Sequence, residues 1–100
     1  MECIDRKFKI AATSLRSGKK YSQANSVLFL AKDALLPELL DKYYDLAYAK
    51  GADERQLKGI RLLQERVAAW QKVNEKKVHL PDVEEGKEEK RVCKKNFNLG

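Results

Sequence analysis

From the N-terminus, Ile4, Phe8, Ala11, Ala12 and Leu15 recur at spacings of four and three, with Arg6, Lys7, Lys9 and Arg16 between them. That period predicts one apolar face of a short helix. The rival reading is a short strand through Phe8, Ile10 and Ala12. Ser17-Gly18 ends the element, because glycine accepts the left-handed conformation that closes helices. A second helical segment runs from Ser22 or Asn25, either of which can N-cap it, to Lys50. Within it Val27, Leu28, Phe29, Leu30 and Ala31 are apolar on consecutive positions, which implies burial on several sides. Pro37 kinks this helix or starts a new one at Pro37-Glu38, since its ring clashes with the preceding turn and it donates no hydrogen bond. Leu36, Leu39, Leu40, Tyr43, Leu46 and Ala47 carry the stripe on, and Gly51 closes it.

The third helix has the clearest start. Asp53 is a good N-cap and Gln56 follows three residues later, the spacing of a capping box. Leu57, Ile60, Leu63, Val67, Trp70 and Val73 then recur at helical intervals, widened by Leu62 and Ala69. Pro81 stops the pattern. The connection between the second and third helices is short, so they fold back as an antiparallel hairpin. The expected fold is therefore all-α: a short N-terminal helix and a long antiparallel helical hairpin, its second helix kinked or broken at Pro37. Residues 1–81 form one helical domain. Residues 82–100 are about half charged, too polar for a core, and are expected to be a disordered charged tail.

Composition adds to this picture. The chain has 100 residues, 43% hydrophobic and 36% charged, which suits one globular domain with a thin core. Strong helix formers dominate. With so little core, self-association is the expected compensation. The formal charge of +6 favours polyanionic partners such as nucleic acid or nucleotides, or an acidic protein face. Cations gather before Asn25 and again in the third helix. Cys3 and Cys93 stand far apart with no CxxC spacing, and read as reduced thiols of a cytoplasmic protein; a bond between them would need an oxidising compartment. No apolar run is long enough to span a bilayer, and no apolar leader is expected, so no membrane partner is anticipated.

Candidate chemistry is sparse. His79 is the only histidine, and nothing suggests that it is held against a nucleophile. One histidine and two distant cysteines are poor material for a metal site. No catalytic residue, metal or cofactor is expected. Ser17-Gly18-Lys19-Lys20 has some likeness to a phosphate loop but lacks its first glycine, its spacing and its preceding strand. Residues 43–62, YYDLAYAKGADERQLKGIRL, resemble a helix-turn-helix signature, with Ala47 at the small-residue position, Gly51 at the turn, and Leu57 and Ile60 at the later apolar positions. The resemblance covers about a fifth of the chain. Asp53 and Glu54 depart from it, since carboxylates at the start of a recognition helix repel phosphates. The layout is also similar in outline to small phage-encoded proteins, including oligomeric sponges for cyclic nucleotides, with no residue motif in common.

These readings converge on a non-enzymatic, oligomeric, basic binding protein. Its expected anion-binding residues are Arg6, Lys7, Lys9, Arg16, Lys19 and Lys20 at the front, with Arg55, Lys58 and Arg61 on the outside of the third helix. Tyr44 and Tyr48, four apart, are candidates for stacking bases. The alternatives are a protein-binding regulator or inhibitor, for example a small phage-type accessory protein, and a helix-turn-helix DNA reader.

Overall fold

The computed structural model describes residues 3–80. The chain divides into two compact units, one containing residues 3–28 and the other residues 29–80.

Residues 3–28 are not helical. Two three-residue strands, β1 (Ala11–Thr13) and β2 (Lys20–Ser22), pair antiparallel with Ala12 opposite Tyr21. This overturns the expected N-terminal helix and with it the all-α fold; the rival strand reading lies closer. The apolar spacing that suggested a helix is not a buried face, because Ile4 is 64% exposed and Leu15 fully so. What organises the segment is side chains that hydrogen-bond the backbone. Asp5 is buried. Its Oδ1 accepts from the amides of Lys7 and Phe8, at 2.9 and 2.7 Å, and its Oδ2 accepts from Leu28 at 3.0 Å. The Gln23 side chain accepts from the Ile10 amide, and the Gln23 carbonyl accepts from the Asp5 amide. These bonds offer the backbone an alternative to a helix ladder. Gly18 does take the expected positive φ, 76°, but in the turn of a β-hairpin rather than at a helix end.

Cys3 and Ala24 form the small core of this unit. Cys3 is disulfide-bonded, which corrects the expectation of a reduced thiol. The other cysteine of the sequence, Cys93, and the expected charged tail lie outside the described residues.

The second unit is a helical hairpin, as expected, with different limits. Helix α1 is Leu36–Ala49 and α2 is Glu54–Val73, followed by a 3-10 turn, Glu75–Lys77. The helix expected from Ser22 or Asn25 begins only at Leu36. Asp33 sets that start: its carboxylate accepts from the Leu35 amide at 2.8 Å and its carbonyl from the Leu36 amide. Pro37 falls in the first turn, where its missing donor costs nothing. Residues 27–30 precede the helix and are not helical.

Helix α1 ends in a Schellman motif. Gly51, at φ 87°, donates to Tyr48, and Ala52 donates to Ala47. Asp53 then opens α2 with a reciprocal capping box: its carboxylate accepts from the Gln56 amide at 2.9 Å, and its own amide donates to the Gln56 side chain at 3.0 Å. Beyond the 3-10 turn the chain returns to residues 32–34. A parallel bridge joins Asp33 and His79, with Ala34 donating to His79 at 2.8 Å and His79 to Lys32 at 3.1 Å.

The helices are pinned by polar contacts that fix their antiparallel direction. Arg61 pairs with Asp41, Gln64 donates to the Pro37 carbonyl at 3.0 Å, and Gln71 donates to the Ala31 and Asp33 carbonyls at 2.9 and 2.7 Å. Partners run backward on one side as they run forward on the other. The apolar seam is narrow: Leu36, Leu57 and Val67 are the buried residues of the two helices.

Candidate functional site

The nine expected anion-binding cations separate into groups. Six lie within residues 3–28, where Asp5 is the single acid. The Asp5 carboxylate is buried and accepts three backbone amides. Lys9 is exposed just before β1, while Arg16, Lys19 and Lys20 are exposed at the turn end of the hairpin. Lys7 lies over the Phe8 ring, 5.3 Å from its centroid, and Arg6 is half-buried.

The turn is held from within. The Ser14 hydroxyl accepts from Ser17, the Ser14 carbonyl from Gly18, and the Ser17 hydroxyl from Lys19. Those amides are therefore already bonded, and residues 17–20 do not form the backbone cradle of a phosphate loop. The chemistry the turn offers is that of side chains. The Arg16 guanidinium has a fork that matches two phosphate oxygens, and Lys19 and Lys20 are mobile point charges. Leu15, fully exposed beside Arg16, adds an apolar contact at the same end.

On α2, Arg55 and Lys58 are exposed, but Arg61 is not aligned with them on an outer face. Its guanidinium bonds the Asp41 carboxylate, lies 2.9 Å from the Gln64 side-chain oxygen, and stacks 3.7 Å from the Tyr44 ring centroid. The hydrogen bond to Asp41 raises its pKa above the ordinary guanidinium value. Arg61 thus joins the helices, and Tyr44 already carries a cation on one face. Tyr48 remains 69% exposed. Sequence reasoning missed the Arg61–Asp41–Tyr44 cluster, whose members come from different helices.

Across the stretch that resembles a helix-turn-helix, the Asp41–Arg61 and Pro37–Gln64 contacts run antiparallel between α1 and α2. The outline likeness to small phage-encoded proteins rested on an N-terminal helix that is absent. No protein family, curated protein or solved structure matches the chain.

Among the described residues no three His, Cys, Asp or Glu side chains come together as a metal site, and no helix is long and apolar enough to cross a membrane. The His79 ring is exposed, with Nδ1 2.7 Å from the Leu80 carbonyl. A groove on the second unit, lined by Ala68, Gln71, Lys72, Glu75 and Val78, sets one cation beside one acid.

Proposed function

We propose that this protein is a non-enzymatic binding protein that engages nucleic acid through its basic β-hairpin, with Arg16, Lys19 and Lys20 at the turn as the principal phosphate contacts and Lys9, at the opposite end of the strands, as a secondary one. The observation that carries this reading is the uneven placement of charge. Residues 3–28 hold six cations and one buried acid, whereas residues 29–80 balance ten cations with eight acids. Exposed cations on a turn suit an extended phosphate backbone better than a single nucleotide, which needs a concave site to bury it. Arg55 and Lys58 are secondary candidates, and Arg61 is assigned to the helix pair. Tyr48 is the better placed of the two stacking candidates.

Self-association belongs to the same reading, because the second unit leaves many large apolar side chains exposed.

Anisotropy of labelled single-stranded and duplex oligonucleotides tests the proposal. The wild type binds at low salt. Reversing Arg16, Lys19 and Lys20 to Glu removes that binding, while reversing Arg55 and Lys58 has the smaller effect. Absence of oligonucleotide binding by the wild type at low salt would sink the nucleic-acid reading. Retention of an acidic protein instead would move the assignment to a protein partner.

A further inference from the structure

Among the described residues of the first unit, Cys3 and Ala24 are the buried apolar ones. That is too little to hold a segment of this size by burial alone, and small units with such thin cores are commonly stapled by a disulfide. Cys3 is disulfide-bonded, and the sequence has one other cysteine, Cys93. Cys3 is 5% exposed. Two copies joined Cys3 to Cys3 would have to bring two such buried sulfurs within bonding distance, which points to Cys93 of the same chain as the partner.

Cys3 lies at the open end of the β-hairpin. The strands pair from Thr13–Lys20, beside the turn, to Ala11–Ser22 at the other end. Beyond that end the Gln23 side chain accepts from the Ile10 amide, the Gln23 carbonyl accepts from the Asp5 amide, and Cys3 packs with Ala24. Lys9 is exposed at the same end. Cys93 stands in a run of cations, Lys90-Arg91-Val92-Cys93-Lys94-Lys95. Residues 82–100 are neutral as a whole, five acids against five bases, but all the acids precede Lys90. A bond at Cys93 therefore selects the basic part of that sequence. Lys94 adjoins Cys93, Arg91 and Lys95 are two residues away and Lys90 is three. Backbone reach alone keeps their Cα atoms within about 11 Å of that of Cys93, and a disulfide keeps its two Cα atoms about 5.5–6 Å apart.

We propose that Cys3 is bonded to Cys93 and that this bond holds Lys90, Arg91, Lys94 and Lys95 near the open end of the hairpin, as a second group of phosphate contacts that a dithiol reductant releases. This rests on the nucleic-acid reading of the hairpin and gives it a regulation. In the release, the two sulfurs of the dithiol attack the S–S bond in turn. Their two protons pass to Cys3 and Cys93, which become thiols, and the reductant leaves as a disulfide. The basic run is then tethered only through the rest of the chain, at a lower effective concentration beside the hairpin.

Peptide mapping of the full chain without reductant, followed by oligonucleotide anisotropy across a salt series, tests it. The map recovers Cys3 and Cys93 in one cross-linked product. In the oxidised chain, Lys94→Ala with Lys95→Ala flattens the log–log salt slope by about two units, one for each lost contact. After a dithiol is added, the slopes of the wild type and the variant coincide. Cys3 recovered unlinked, or linked to a second Cys3, overturns the disulfide assignment. A variant with the wild-type slope when oxidised, or a two-unit difference that survives reduction, overturns the redox-held contact and leaves the hairpin reading standing. A wild type that binds no oligonucleotide at low salt overturns both. The double alanine variant keeps both cysteines, so the comparison between oxidised chains decides the matter even if reduction unfolds the first unit.

Discussion

Asp5 shows how one side chain can set the form of a segment. Its two oxygens take three backbone amides, from Lys7, Phe8 and Leu28, and the last of these ties the start of the unit to its end. Without the carboxylate, those donors in a partly buried setting lose their partners, at about 1–3 kcal/mol for each that water cannot reach. Asp5→Ala is expected to destabilise the first unit by about 2–3 kcal/mol and to speed hydrogen exchange at Phe8 and Leu28. Exchange at those amides unchanged from the wild type would show that Asp5 does not hold the segment. A change of comparable size at an amide in α2 would show that the two units are not separately stabilised. Arg61 is the counterpart in the second unit. Stacked on Tyr44 and bonded to Asp41, it has a planar fork that lysine cannot reproduce.

At the scale of elements, the turn between the helices carries two separable predictions. Gly51 sits at φ 87°, and a Cβ added there would meet nothing within 4 Å, so Gly51→Ala meets backbone strain alone and is expected to cost about 1 kcal/mol. Asp53→Ala removes the capping box and is expected to cost about 1 kcal/mol. Thermal melts followed by circular dichroism report both; an unchanged midpoint in either variant would contradict the role given to that residue. This turn was legible in the sequence because its signals are local. Gly51, Asp53 and Gln56 act within a few residues of where they stand. The first unit was misread because its organising bonds are distant: Asp5 reaches Leu28 and Gln23 reaches Ile10, across separations of 23 and 13 residues. Helical spacing at Ile4, Phe8 and Leu15 carried no information about those partners. For the same reason the cations were legible as residue types, while the engagement of Arg61 with Asp41, 20 residues away, was not.

At the scale of the molecule, the two units differ in what they leave exposed. The first carries most of the net positive charge of the described residues, and its acid is buried. The second is closer to neutral and leaves large apolar side chains exposed on its helices. That division makes the central claim, phosphate contact by the hairpin turn, separable from association through the helices. Phosphate binding releases counterions, so its affinity falls with salt along a log–log line whose slope counts the contacts. An apolar helix interface lacks that dependence. The most direct measurement is therefore the slope of oligonucleotide affinity against salt for the wild type and for Lys19→Ala with Lys20→Ala. A slope about two units shallower in the variant, one for each lost phosphate contact, is the predicted result; an identical slope in a folded variant would contradict the account.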